Sequence, residues 1–218
     1  MRFPAIPTNA TIAAALLAAA LSAARPVSAF TATISAASPR AIYLQVGVGS
    51  FTGGNYNSGG SPAANATVNI VSVTVPTNVI GNGVAQTMTT NSTASNSFYD
   101  GYAFCNAPGQ LYIGGFYRQT SSSAGTATAT LTATSPANLV SAAGDTIPFS
   151  QISWTSSGNG DSGTQPFAAG TFVVGTRTIG SISRNQWAES CHTFVYENDN
   201  FVAAGTYTGR VTYTLSAP

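Results

Sequence analysis

The sequence predicts an all-β protein, an immunoglobulin-like antiparallel β-sandwich. Three observations carry that expectation. Apolar residues alternate with Ser, Thr and Asn in one stretch after another, the period of half-buried strands. Clusters of Gly, Asn, Ser and Pro break these runs at short intervals, and no window carries a 3.6-residue apolar period. The 218 residues hold 44% hydrophobic but only 6% charged side chains, so Ser, Thr, Asn and Gly supply the polar surface over a real core. About ten short strands at this spacing fit two packed sheets, with a closed barrel as the alternative.

The opening stretch "MRFPAIPTNATIAAALLAAALSAARPVSAF" reads as a secretory signal over residues 1–29. Arg2 precedes an apolar run over Ile12–Leu21, and Val27-Ser28-Ala29 offers a small-x-small cleavage site after Ala29. The run is short of the ~20 residues a membrane span needs, so no membrane span is expected after cleavage. The exported chain begins at Phe30, and losing Arg2 and Arg25 takes the formal charge from +1 to −1. With no Lys and so few charges, no phosphate-binding patch can form, which argues against nucleic acid as a partner. Residues 30–39 read as an N-terminal extension and 40–218 as a single sandwich domain, without internal repeat or linker.

Along the domain, "AIYLQVGVG" alternates Ile42, Leu44, Val46 and Val48. "FTGGNYNSGGSPAANA" reads as a mobile loop. "TVNIVSVTVP" sets Val71, Val73 and Val75 on one face and stops at Pro76. "QLYIGGFYR", "GTATATLTAT", "TIPFSQISW", "GTFVVGTRTIGSIS" and "CHTFVYE" follow as strands. The last is "GTYTGRVTYTLSAP": Tyr207, Val211, Tyr213 and Leu215 point one way, Thr206, Thr208, Arg210, Thr212 and Thr214 the other.

Chemistry-bearing residues are sparse. Cys105 and Cys191 predict one disulfide tying two strands, the default for a pair of exported cysteines, with two buried free thiols as the alternative. The single His192 adjoins Cys191, but neighbours in a strand face opposite ways, so no thiol–imidazole pair is expected and an exposed or capping His is. Most of the carboxylates, in "YDGY", "AGDT", "GNGDSG" and "YENDN", read as turn residues. "GNGDSG" and "ENDN" could offer oxygens to calcium, yet neither has the spacing of a twelve-residue calcium loop, and no metal or other cofactor is predicted. No nucleophile elbow, zinc motif, phosphate loop or dinucleotide fingerprint occurs, so no catalytic residue is assigned. The sequons at Asn65 and Asn91 are what chance gives in a chain rich in Asn and Thr. The rings Phe98, Tyr99, Tyr102, Phe104, Tyr112, Phe116 and Tyr117 could stack on sugars, but cross-strand packing explains them more simply.

The final stretch "AAGTYTGRVTYTLSAP", Ala203–Pro218, resembles the closing strand of fimbrial subunits of the chaperone–usher pathway, in particular the spore-coat-U-like pilins of the archaic type. The resemblance implies a sandwich lacking its final strand, with Tyr207, Val211, Tyr213 and Leu215 beside an open groove. A periplasmic chaperone fills that groove first. The N-terminal extension of an identical or related subunit then replaces it during passage through an outer-membrane usher, a strand-addition mode of recognition. The expected donor here is "FTATISAAS", with Phe30, Ala32, Ile34 and Ala36 as plugs. The implied function is a structural subunit of a surface fimbria, reached through the periplasm, in adhesion and biofilm. The competing expectations are a self-closed surface or matrix sandwich, with Phe30–Ala36 as its own first strand, and a carbohydrate-binding module built on Phe98–Tyr117.

Overall fold

A computed structural model describes residues 30–120, 127–158 and 163–218. The expected signal segment 1–29 and Asp161 lie outside them. The first strands are β1 (Thr31–Thr33), β2 (Ala41–Val46), β3 (Phe51–Thr52), β4 (Ser61–Pro62), β5 (Val71–Ser72), β6 (Gln86–Thr87) and β7 (Thr89–Thr90). Then come β8 (Leu111–Arg118), β9 (Thr128–Ser135), β10 (Asn138–Ser141), β11 (Thr146–Pro148) and β12 (Ile152–Ser157). The rest are β13 (Gly170–Thr171), β14 (Gly175–Ser183), β15 (Gln186–Tyr196), β16 (Tyr207–Thr208) and β17 (Thr212–Ser216).

The main sheet runs β13-β12-β15-β8-β2, and β1 and β6 add to β15. The second layer holds β14-β9-β17 and β11-β10-β16. All ladders between named strands are antiparallel. An immunoglobulin sandwich places strands A, B, E and D in one sheet and C, F and G in the other. Here β2, β8, β15 and β12 take the A, B, E and D places, and β9 and β17 those of C and F. Among the described residues no strand lies in the G place.

The alternation in the sequence explains the layers. On β8, Leu111, Ile113 and Tyr117 enter the inter-sheet core, where they meet Leu131, Ile182 and Leu215. The alternate residues Tyr112 and Phe116 enter separate clusters on the sheet's outer face. Both faces of β8 are therefore covered, and seven of its eight residues are buried. By contrast β9 buries one face only, and its Thr residues face outward or sideways.

Three predicted strands are broken. "TIPFSQISW" divides into β11 and β12 around a 3₁₀ turn at Phe149–Gln151, and "GTFVVGTRTIGSIS" divides into β13 and β14. Of "TVNIVSVTVP" only Val71–Ser72 is strand. Four further expectations need correction. The terminal pattern is not one strand: β16 pairs with β10 and β17 with β9, with a break at Gly209–Val211. The chain passes so close to its neighbours that a Cβ on Gly209 would lie 2.5 Å from the Phe149 ring and 2.8 Å from Leu139. The stretch after Phe51 is not loop throughout. It folds as the β3–β4 ladder around a 3₁₀ turn at Tyr56–Ser58, with Phe51 and Tyr56 packed on Trp187. Cys105 and Cys191 are bonded, with Cα atoms 5.5 Å apart. The bridge joins β15 to the loop before β8 rather than joining two strands. Finally, His192 is fully buried rather than exposed.

Candidate functional site

The candidate site lies between two sheet edges. β2 pairs through Ala41–Val46 with β8, and β17 pairs through Thr212–Ser216 with β9. Neither has a ladder on its other side. Arg40 donates from Nη1 to the Pro218 carbonyl, which joins the start of β2 to the end of β17. Further along, Tyr213 and the Tyr43–Gly49 stretch line a cleft of about 280 Å³ together with Ala63, Asn65 and Thr67. The two edges thus run antiparallel, and Cα atoms of β2 and β17 approach within 8 Å. A strand could therefore ladder to both only if the edges part to about 9–10 Å.

The side chains along these edges are apolar and incompletely covered. Leu44, Val46, Val211 and Tyr213 pack against the core yet stay half-buried, whereas Ile113 and Leu131 deeper in are fully buried. Of the four predicted terminal-strand residues, Val211, Tyr213 and Leu215 lie on β17 or its approach. Tyr207 is on β16, where its hydroxyl donates to the Ala203 carbonyl at 2.8 Å, away from the cleft. Desolvation pushes the Tyr213 hydroxyl well above the ordinary tyrosine range and the Tyr43 hydroxyl up to about 12, so both stay neutral. Sequence reasoning missed Gln45. It is buried beside the cleft, accepts from the Tyr43 hydroxyl at 2.5 Å and donates to the Gly47 carbonyl at 2.9 Å. A Gln between Tyr43 and Val46 in an otherwise apolar run was the available signal.

The candidate donor segment is docked on its own chain, away from this cleft. Thr31–Thr33 pairs with Gln186–Ala188 of β15. Ile34 is buried against Phe116 and Trp187, and Phe30 packs 5.6 Å from Tyr99 and 5.8 Å from Phe104. Phe30, Ala32 and Ile34 share the inward face as the alternation predicts, while Ala36 is exposed. The aromatic stretch surrounds this dock. Phe104, Tyr112, Phe116 and Tyr117 are buried, Phe98 and Tyr99 half-buried, and Tyr102 alone is 75% exposed.

Beneath this layer lies Glu189, which sequence reasoning passed over in favour of turn carboxylates. It is fully buried. Its Oε2 accepts from the Tyr112 hydroxyl at 2.5 Å and from Trp187 Nε1 at 2.8 Å. Desolvation outweighs these hydrogen bonds and raises its carboxyl to about 7. His192 lies on the opposite face of β15, stacked on Trp154, with Nε2 3.3 Å from the Phe167 carbonyl. Burial lowers its pKa to about 4, so it is neutral. Cys191 is in the disulfide, so it offers no thiol to His192. The cross-strand partner Ser156 donates its hydroxyl to the same Phe167 carbonyl rather than to the imidazole. Asp100 and Asp145 hold turns through Tyr102 and Ser141, and Glu197 accepts from the Ser153 hydroxyl. Among the described residues there is no group of three His, Cys, Asp or Glu that could hold a metal ion, and no helix long and apolar enough to cross a membrane.

Comparison of the chain with protein-family models, with curated proteins and with solved structures finds no match in any of the three.

Proposed function

We propose that this chain is an exported structural subunit that polymerises into a surface fimbria, each copy accepting a strand of another in the β2–β17 cleft. One observation carries the reading. β2 and β17, in the A and F places of an immunoglobulin sandwich, flank a cleft lined by Leu44, Val46 and Tyr213 together with polar Gln45, Asn65 and Thr67, and among the described residues neither edge has a second ladder. Free edges flanked by half-buried apolar side chains are an aggregation hazard that folded proteins ordinarily cover. In a polymerising subunit they are the joint. Backbone ladders to β2 and β17 would supply affinity, and apolar plugs over Leu44, Val46 and Tyr213 would supply register. Phe30 and Ile34 remain the best plugs near the exported N-terminus. In this scheme a periplasmic chaperone covers the cleft before assembly at an outer-membrane usher, and the disulfide suits an extracytoplasmic chain.

A second reading is favoured by the docking of Phe30–Ile34 on β15: a self-contained surface or matrix protein that keeps its first strand in its own sheet. Electrophoresis of the exported form at rising concentration, boiled and unboiled, separates the two. Strand exchange predicts ladders that survive mild denaturant and collapse on boiling. A single monomer band under all conditions overturns it in favour of the self-contained protein.

A further inference from the structure

The segment that the fimbrial reading needs as a donor is already engaged. β1 holds β15 by a short ladder in which Thr31 faces Ala188 and Thr33 faces Gln186. The Glu189 amide continues it by donating to the Phe30 carbonyl at 3.3 Å. Trp187, Glu189 and Cys191 alternate along β15 and face outward, under the layer formed by Phe30, Phe98, Tyr99 and Phe104. Glu189 therefore sits directly below the place where the segment docks, and its own backbone grips that segment.

We propose that β15 stores Phe30–Ile34 and that Glu189 is the latch: the neutral carboxyl keeps the segment docked, and the carboxylate releases it. The groups facing Glu189 explain the direction. Tyr112 from β8 donates to it, Trp187 donates from its own strand, and Ser97 and Asp100 approach from the loop above. Tyr43 from β2 lies beyond Tyr112. None of these is a cation. Arg118 is spent over the Phe116 ring at 5.8 Å. A carboxylate in this slot has Asp100 as its nearest charged influence, of like sign, and aromatic rings over it. Peeling back Phe30 and its strand is the shortest way to bring water to it, because β1 is an edge strand of three residues while β8 and β15 are held from both sides. The stored segment would then be free to enter another copy's cleft. This inference concerns control of that donor and so rests on the fimbrial reading for its purpose, but not for its test.

Amide hydrogen exchange by mass spectrometry, on dilute monomer of the exported form at pH 5.5 and 8.0 and corrected for intrinsic rates, reads the latch. In the wild type, protection of residues 30–36 should fall about tenfold or more at pH 8.0 while β9 and β14 stay protected. Glu189→Gln, which places an uncharged amide in the slot, should keep protection within about twofold at both pH values. Equal protection of the wild-type segment at both pH values overturns the proposal, as does the same loss in Glu189→Gln. If the Gln variant does not fold, Tyr112→Phe serves. It removes a donor that stabilises the carboxylate, so the release midpoint should rise by about half a pH unit. An unmoved midpoint contradicts the latch. Missing gel ladders, in contrast, would refute strand insertion and leave the exchange result standing.

Discussion

Replacing Ile34 with Asp perturbs the stored segment and the proposed plug together. Ile34 is 5% exposed against Phe116 and Trp187. Losing that burial removes about 1.5–3 kcal/mol. Forcing a carboxylate into the same slot would cost several kcal/mol more. The domain need not bear that sum, because β1 can leave. The total cost is capped at the net docking free energy of the segment. Burial of Ile34 and part of Phe30 contributes about 3–5 kcal/mol, and ordering Phe30–Ile34 offsets most of it at ~1 kcal/mol or more per residue. A net loss of at most about 2 kcal/mol follows, or about 4–8 °C in Tm for a domain of this size. Thermal melting by circular dichroism reads the shift, and gels of unboiled samples read assembly. The expected outcome is a folded, slightly less stable monomer with no ladder. An Ile34→Asp protein that assembles normally contradicts the plug role. One that is unfolded at room temperature contradicts the claim that β1 is a detachable edge.

The buried Glu189 and His192 predict a concealed pH dependence. The Glu189 carboxyl, raised from 4.5 to about 7, lends stability that is complete below pH 4.5 and is lost as pH rises towards 7. The His192 ring, lowered from 6.5 to about 4, lends stability that is complete above pH 6.5 and is lost as pH falls towards 4. His192 is worth about 3 kcal/mol and Glu189 no more than the ~2 kcal/mol at which its covering segment undocks. The opposed slopes largely cancel, so wild-type stability should vary little from pH 4.5 to about 6. Urea titrations should show Glu189→Gln gaining stability with rising pH over that window and His192→Gln losing it. Flat profiles in both variants would contradict the buried assignments. Removing the disulfide by replacing both Cys105 and Cys191 with Ser opens a loop of 86 residues, and chemical denaturation should show a loss of about 4–5 kcal/mol. Gly209→Ala drives a methyl into the Phe149 ring, and a loss of about 1–3 kcal/mol by the same measurement is expected. A neutral result would mean that the β16–β17 break relaxes freely.

The period-two alternation made β2, β8, β9, β14 and the second half of β15 legible, and with them the sandwich; the Gln186–Ser190 half of β15 was not among the predicted strands. It could say which residues share a face but not which edge that face meets. Phe30, Ala32 and Ile34 do point one way, yet β15 rather than a second copy's groove receives them in this chain. The break at Gly209 was invisible because it answers to Phe149 and Leu139, distant in sequence, and Thr206–Leu215 alternates straight through it. The layer over the outer face of the main sheet was equally hidden. Phe51 and Tyr56 sit among Gly, Asn and Ser, a composition that reads as loop, yet their rings cap Trp187. Beside that cap, the rings of Phe30, Phe98, Phe104 and Tyr112 cover the part of the face that holds Glu189. The local signal was a lone Glu in "QWAESCH", within a strand whose two faces both need cover.

Whether the β2–β17 cleft takes a strand in trans can be read by cross-linking between copies. A photoreactive phenylalanine in place of Val46, in an equal mixture of isotopically light and heavy exported chains, reports what lies between the two edges. Strand insertion predicts cross-linked peptides joining position 46 of one copy to residues 30–36 of the other, with light–heavy pairs as frequent as same-isotope pairs. Cross-links confined to a single copy, or reaching only residues 63–67 and Tyr213, would contradict it.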